Sequence, residues 1–464
     1  MDRERWKYFV AIVILTGLIV TAYAPGLTIP YYADDFKFFF LGSELHWTDH
    51  FFETGSTTGF YRPLQNAGLH LMQSSIGMDP LFVHLAALVM HLAMVTLVYE
   101  GGRWLGATRM QSFLAAVLMG TAQANAAAVL GNDTFSQVAS TFFGYLSLRC
   151  YGAAVKRRGG TGRNAYAGAL ASLIVCLLLK ETGFAFVLLI VLAELYDRYG
   201  VHNKSSSRSS ANPVMQIGRL LPVFVLGGGY LIVRSVAGAM SPGFGSDPYQ
   251  LHFGLNLLRN IGLFGVASVS PISTTSLALW VQTSQWTSAI AALSGGLLFV
   301  IVVSYGLSKG KNKEKVTLLL TVCACSLSPV LPLNDISELY VYTAMPPLCV
   351  IAGMGLGRLL RGIHSGSKVS VLVLIFTLGY GIGQVLGIRE KATLMKRTGE
   401  RTQTVLKQIA HVGKTAPSDA TLCLRQVPTD TTSYSVFRMP GVTPFTFAEP
   451  VVQYCSGRSD LHFA

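Results

Sequence analysis

The sequence predicts an all-α polytopic membrane protein, and three observations carry that expectation. Of 464 residues, 51% are hydrophobic and only 13% are charged, about half the charged fraction of a soluble domain. Apolar stretches of roughly 15–22 residues alternate with short polar segments, and each stretch is about long enough to cross a hydrocarbon core as a helix. Basic residues gather in alternate loops, the pattern that orients membrane helices. Barrel strands would be nearer ten residues long and would alternate apolar with polar side chains, which these stretches do not.

About eleven spans are expected, over 7–24, 82–101, 111–130, 135–153, 164–180, 182–197, 219–236, 287–307, 316–332, 341–358 and 369–388. The first follows Arg3, Arg5 and Lys7 in the manner of a signal peptide. It has no obvious small-residue cleavage site before Pro25 and is followed by many further spans, so it reads as a retained helix. The basic loops hold Arg103 and Arg109; Arg149, Lys156, Arg157, Arg158 and Arg163; Arg198, Lys204, Arg208 and Arg219; Lys309 to Lys315; and Arg358, Arg361 and Lys368. The opposite loops before the tail hold only Lys37, Arg62, Arg234 and Arg259. This bias places the N-terminus in the cytoplasm and, after an odd number of crossings, the C-terminus outside. The net charge of +13 is thus topological and gives no reason to expect nucleic acid.

Two units follow: a transmembrane unit over 1–388 and a small external α/β unit over 389–464. Within the first, the external loop 25–80 mixes acids and histidines with rings such as Tyr31, Phe36, Trp47 and Phe51, as interfacial helices do. A second external segment carries an apolar stretch, Leu255 to Ser270, read as interfacial or re-entrant and not as a span. Asn203 to Asn212 is a polar linker. In the tail, Lys391 to His411 is helix-compatible, Ala420 to Gln426 and Ser433 to Arg438 read as strands, and Cys423 and Cys455 are free to pair outside the cell.

Several polar groups stand out on the outer side. Asp34 and Asp35 adjoin in YYADDF, where mutual repulsion and poor solvation raise one carboxyl's proton affinity and suit it to act as a base; the alternative is two solvated loop acids. Lys180 and Glu181 divide an apolar run too long for one span, which predicts two helices joined by a tight turn. That turn either simply needs polar residues or presents an ammonium to a lipid phosphate. Arg62 precedes Pro63, a setting that disfavours helix, and its fork either binds phosphate or anchors to headgroups. Arg234 and Arg259 are weaker candidates of the same kind. Asp133, in GNDTF, either caps the fourth span or joins the acids. His84 and His91 share one helix face and read as hydrogen-bonded packing residues. The repeat Gly353, Gly355, Gly357 lies inside a span with no preceding strand, so it reads as close helix packing and not as a nucleotide loop.

These pieces, in this order, resemble the GT-C superfamily of membrane glycosyltransferases, in particular the transmembrane O-mannosyltransferases with tetratricopeptide repeats and their bacterial relatives. The matching elements are Asp34-Asp35 after the first span, Tyr61-Arg62-Pro63-Leu64, His84 and His91 with Leu97-Val98-Tyr99, Lys180-Glu181-Thr182, and Glu338, Tyr340 and Tyr342 late in the chain. Residues 5–200 match well and 215–360 loosely. Leu339 stands where the family's late element has arginine, the acid after span three is offset by about one position at Asp133, and the repeats are missing.

The resemblance implies an inverting transferase that moves a sugar from a polyprenyl-phosphate donor to a hydroxyl of a protein, glycan or lipid at the outer face of the membrane. It leaves a bacterial inner membrane and the endoplasmic reticulum both open, and the short tail and lack of glycosylation-rich loops favour the periplasmic face of a bacterial inner membrane. It implies catalytic carboxylates among Asp34, Asp35 and Asp133; donor-phosphate contacts from Arg62, Lys180 and Arg234; and support from Glu181, His91, Glu338 and Tyr340. No cofactor or obligatory metal is expected, because cations can neutralise a monophosphate leaving group. The competing classes are a lipid or glycan transporter, which would carry charges along a midplane path, and a non-catalytic assembly subunit of the same fold.

Overall fold

A computed structural model describes residues 3–32, 35, 46, 48–52, 59–77, 79–156, 160–199, 213–239, 250–310, 313–334, 336–361, 367–422 and 462–463. In chain order its helices are α1 (Arg3–Tyr23), α2 (Asp49–Phe52), α3 (Pro63–Ile76), α4 (Pro80–Trp104), α5 (Arg109–Thr121), α6 (Ala126–Leu130), α7 (Phe135–Lys156), α8 (Gly160–Leu179) and α9 (Ala185–Tyr199). These are followed by α10 (Pro213–Val236), α11 (Leu255–Val269), α12 (Thr274–Gln282), α13 (Trp286–Ser308), α14 (Lys313–Leu327), α15 (Val341–Leu359) and α16 (Lys368–Thr415). Thr421–Leu422 and His462–Phe463 form a two-residue parallel pair. The remaining tail, with Cys423, Cys455 and the strand expected at Ser433 to Arg438, lies outside the described residues, as do the linker at Asn203 to Asn212 and Asp34.

Ten of the eleven expected spans each overlie one helix, and the expected span 111–130 is broken between α5 and α6. By length and apolarity, however, six described helices qualify to cross a membrane, or seven if the bent pair α5 and 123–130 counts as one. The others fall short for visible reasons. Helix α7 turns Ser136, Gln137, Ser140, Thr141 and Ser147 into the bundle, α9 and α14 have 15 residues each, and α14 opens on Lys313-Glu314-Lys315. Leu255–Val269 is a short apolar helix.

Helix α15 is the axis of the bundle, with 83% of its apolar window buried. Its glycines permit that burial. A Cβ on Gly353 or Gly357 would strike Gln111 of α5, and one on Gly355 would strike the Val303 carbonyl of α13, so the repeat is a close-packing device. Pro346 and Pro347 within α15 have no N–H to give the preceding turn. The Thr343 carbonyl, which Pro347 leaves open, accepts the Tyr145 hydroxyl of α7 at 2.9 Å. Helix ends are set locally: Asp79 Oδ1 caps α4 by accepting from Leu81 N at 2.9 Å, and Thr108 with Gln111 forms a reciprocal capping box on α5.

Two interruptions shape the rest. Ala122 is extended (φ −64°, ψ 121°), and the chain bends by 47° between α5 and 123–130. Lys180 is also extended (φ −160°, ψ 141°) and turns the chain from α8 into α9 through a 3-10 turn at Glu181–Phe184, the tight turn expected from sequence. Helix α16 is longer than foreseen. It passes without interruption through the expected unit boundary at 388/389, and Gly399 packs against Pro30, bracing the loop that leads to Asp35.

Candidate active site

The outer-side residues converge around the turn between α6 and α7. Asp35 is 3% exposed, and its carboxylate accepts three hydrogen bonds. Tyr32 N and Asn132 Nδ2 donate to Oδ2 at 2.9 Å each, and Asp133 N donates to Oδ1 at 3.0 Å. Burial and the neighbouring Asp133 charge push the Asp35 carboxyl well above the usual range, against the pull of those three donors. Asp133 sits in the turn two residues before α7 begins, and its carbonyl accepts from Gln65 Nε2 of α3 at 3.0 Å. The first loop, the α6–α7 turn and α3 are therefore tied at one point. Neither Asn132 nor Gln65 was singled out from sequence, because lone amides carry no spacing signal.

Gln65 stands three residues after Arg62, which is extended-like (φ −134°, ψ 59°) ahead of Pro63. The Arg62 guanidinium engages Glu181 as a fork, Nε to Oε2 at 2.9 Å and Nη2 to Oε1 at 2.6 Å, and lies over the Phe60 ring at 4.4 Å from its centroid. Burial alone would raise Glu181, but the Arg62 charge and fork, with Lys180 beside them, hold it far below the usual carboxylate range. The expected phosphate fork of Arg62 is thus directed at the next candidate motif, where it fixes the α8–α9 turn.

Lys180 is different. It is 3% exposed, and its ammonium makes no hydrogen bond or ion pair among the described residues. Burial and the Arg62 charge depress it to about 8, opposed by Glu181 and Asp133. Asp133 therefore acts electrostatically on both Asp35 and Lys180. The Tyr230 hydroxyl feels Glu181, Arg234 and Arg62, which brings the C-terminal end of α10 to the same cluster. Arg259 lies apart, donating to the Asn334 carbonyl and to Asn260 Oδ1.

The late element has another setting. Glu338 and Lys391 form an ion pair with each side chain 1% exposed, Nζ lying 2.8 Å from both carboxylate oxygens. Lys391 Nζ also donates to Gln123 Oε1 at 2.6 Å, and Thr274 Oγ1 donates to Glu338 Oε1 at 2.9 Å. The bend at Ala122 feeds this network: Gln123 N donates to Gln384 Oε1 at 2.8 Å, and Gln123 O accepts from Lys391 at 3.2 Å. Leu339 leaves the element without its own cation, and Lys391 from α16 meets Glu338 instead. Neither Lys391 nor Gln123 is singled out in the sequence, the first lying at the start of the helix-compatible tail segment and the second inside an expected span.

Both histidines of α4 are hydrogen-bonded inside the bundle. His84 Nε2 meets the Ile29 carbonyl at 3.1 Å; His91 Nδ1 meets the Tyr342 hydroxyl at 2.9 Å and its Nε2 the Gly120 carbonyl at 3.4 Å. Tyr340 is half-buried at the start of α15. Among the described residues, no group of three or more His, Cys, Asp or Glu side chains is placed to hold a metal ion.

No protein-family model and no curated sequence matches the chain. Solved structures do. The oligosaccharyltransferase of Archaeoglobus fulgidus, in complex with Zn and sulfate, superposes with a TM-score of 0.55 at 10% identity, covering 97% of this chain and 67% of that one. The archaeal oligosaccharyltransferase AglB from Archaeoglobus fulgidus, with an inhibitory peptide and a dolichol-phosphate, gives 0.51 at 11%, covering 99% and 64%. ArnT from Cupriavidus metallidurans in the apo state gives 0.50 at 13%, covering 97% and 85%. At such identities the likeness is one of backbone architecture: the chain shares the fold of these oligosaccharyltransferases and of ArnT.

Proposed function

We propose that this protein is an inverting glycosyltransferase that moves a sugar from a polyprenyl-phosphate donor to an acceptor hydroxyl, at the periplasmic face of a bacterial inner membrane. The observation that carries the reading is the cluster of Asp35, Asp133, Lys180 and the Arg62–Glu181 fork at one end of a GT-C-like fold, with the Lys180 ammonium beside the acids and without a hydrogen bond among the described residues. The dolichol-phosphate bound to one of the similar structures supports a lipid-phosphate donor.

In this reading a carboxylate removes the proton of the acceptor hydroxyl as its oxygen attacks the anomeric carbon. The bond from that carbon to the phosphate oxygen breaks on the opposite face, and the configuration inverts. Charge accumulates on the departing lipid monophosphate, where Lys180 compensates it. Arg62 holds Glu181, and through it the turn that presents Lys180; Arg234 flanks the same place. The three donors to Asp35 also suit a loop anchor, so in this reading Asp34 is taken as the base, with Asp35 and Asp133 as the alternatives.

The transporter reading would draw on the buried charges Glu338 and Lys391. Both are engaged by each other, and Gln123 and Thr274 complete the set, which favours an architectural role. The test is purified protein given a radiolabelled polyprenyl-phosphate sugar and a membrane extract as acceptor. Asp34→Asn should abolish transfer with the melting temperature unchanged, whereas Asp35→Asn should lower both. Unchanged transfer in both variants would sink the assignment.

A further inference from the structure

At the end of the bundle opposite Asp35, five helices enclose an apolar cavity of about 480 Å³. Its wall includes Leu97 of α4, Leu148 of α7, Leu189 and Leu192 of α9, Leu318 of α14 and Val350 of α15. The separation from the candidate active site follows from α4 itself: His84 meets Ile29 near the acids, while Trp104, at the cavity, lies twenty residues further on, roughly 30 Å along a helix. Such a volume is within the range of sites that hold a ligand, about 300–1,000 Å³.

The mouth is basic. Arg149, Lys156 and Lys315 line it together with Trp104. Lys156 Nζ stands over the Trp104 ring at 4.3 Å, and Lys315 reaches over Gly106. Arg149 is partly compensated by Glu100, 3.8 Å away, while Lys156 and Lys315 have no carboxylate partner among the described residues. Glu194, the nearby acid on α9, is buried, accepts the Tyr151 hydroxyl at 2.6 Å and is not among the residues that line the cavity. These cations belong to the loops that the charge bias assigns to the cytoplasm.

We infer that this cavity binds an anionic phospholipid of the adjoining leaflet, with one acyl chain among the leucines and the phosphate over Lys156 and Lys315. A chain leaving the bilayer for an apolar cavity gains little by the transfer, since lipid tails are as apolar as the wall. Selection must therefore come from the headgroup, and basic pockets between helices on the cytoplasmic side recognise such headgroups. Two lysines near the phosphate correspond to a preference of about 10-fold or more over a zwitterionic lipid. The inference is independent of the glycosyl-transfer reading.

Trp104 supplies the probe. Full-length protein in detergent is titrated with phosphatidylglycerol brominated on its acyl chains and, separately, with the matching phosphatidylcholine; quenching assigned to Trp104 is the difference from Trp104→Phe. The expected result is saturable quenching with half-saturation about 10-fold lower for phosphatidylglycerol, a gap mostly lost in Lys156→Gln/Lys315→Gln, and no displacement by millimolar inorganic phosphate. Equal half-saturation for the two lipids in the wild type overturns the inference, whatever the variant does. So does a gap that survives the double substitution in folded protein, or displacement by phosphate alone, which would mark an anion site with no place for a chain.

Discussion

The bend at Ala122 and the turn at Lys180 both interrupt long apolar runs, and they put the freed polar groups to opposite uses. At the bend, the Gln123 amide, carbonyl and side chain are taken up by Gln384, Lys391 and Ala267, and Lys391 in turn closes on Glu338. At the turn, the Arg62 fork fixes Glu181, but the Lys180 ammonium is left beside Asp133 without a bond among the described residues. Saturation at the first break locks helices together, because removing any member strands a buried polar group. An uncommitted buried cation stabilises nothing by itself, and its burial makes sense when a counter-charge arrives.

That contrast can be broken at either side. The largest effect is expected from Lys391→Met, which strands Glu338 and should lower stability by about 3–5 kcal/mol, read as thermal unfolding in detergent. The paired change Glu338→Leu/Lys391→Met should restore most of it, and a wild-type melting curve for Lys391→Met would remove the structural role. Lys180→Met should do the reverse: transfer falls by roughly 100–1,000-fold, as when one charge-stabilising donor is deleted, while unfolding stays within about 1 kcal/mol of the wild type.

The pH profile sharpens the same point. The Lys180 ammonium exists below its depressed value of about 8 and is lost above it, so kcat/KM for the donor should decline as pH rises through about 8. Lys180→Arg, with an always-charged group, should carry that decline to higher pH; a limb that stays in place would assign it elsewhere. The smallest effect is expected from Gln384→Leu. It leaves the Gln123 amide and the Ser270 carbonyl without this partner, at a cost of about 1–3 kcal/mol and with transfer by the remaining folded protein near normal.

The sequence by itself determined where the helices run, because apolar length and helix-breaking residues are local properties. It determined that Gly353, Gly355 and Gly357 serve packing, that the run around Lys180 must break, and that Asp35, Arg62, Asp133 and Lys180 belong to one side. Only the tertiary structure decided who meets whom. Arg62 and Glu181 are 119 positions apart and Lys391 and Gln123 are 268 apart, and no pattern in a single chain announces such pairs. Lys391 is expected only as the start of a helix-compatible tail, because it follows an apolar run of ordinary length, yet α16 continues through it and the residue is fully buried. Charge balance in a low-dielectric interior accounts for the second pair's surroundings: the buried Lys391 takes Glu338, the partner that packing brings within reach. Which cation stays uncommitted is therefore a property of the assembled bundle.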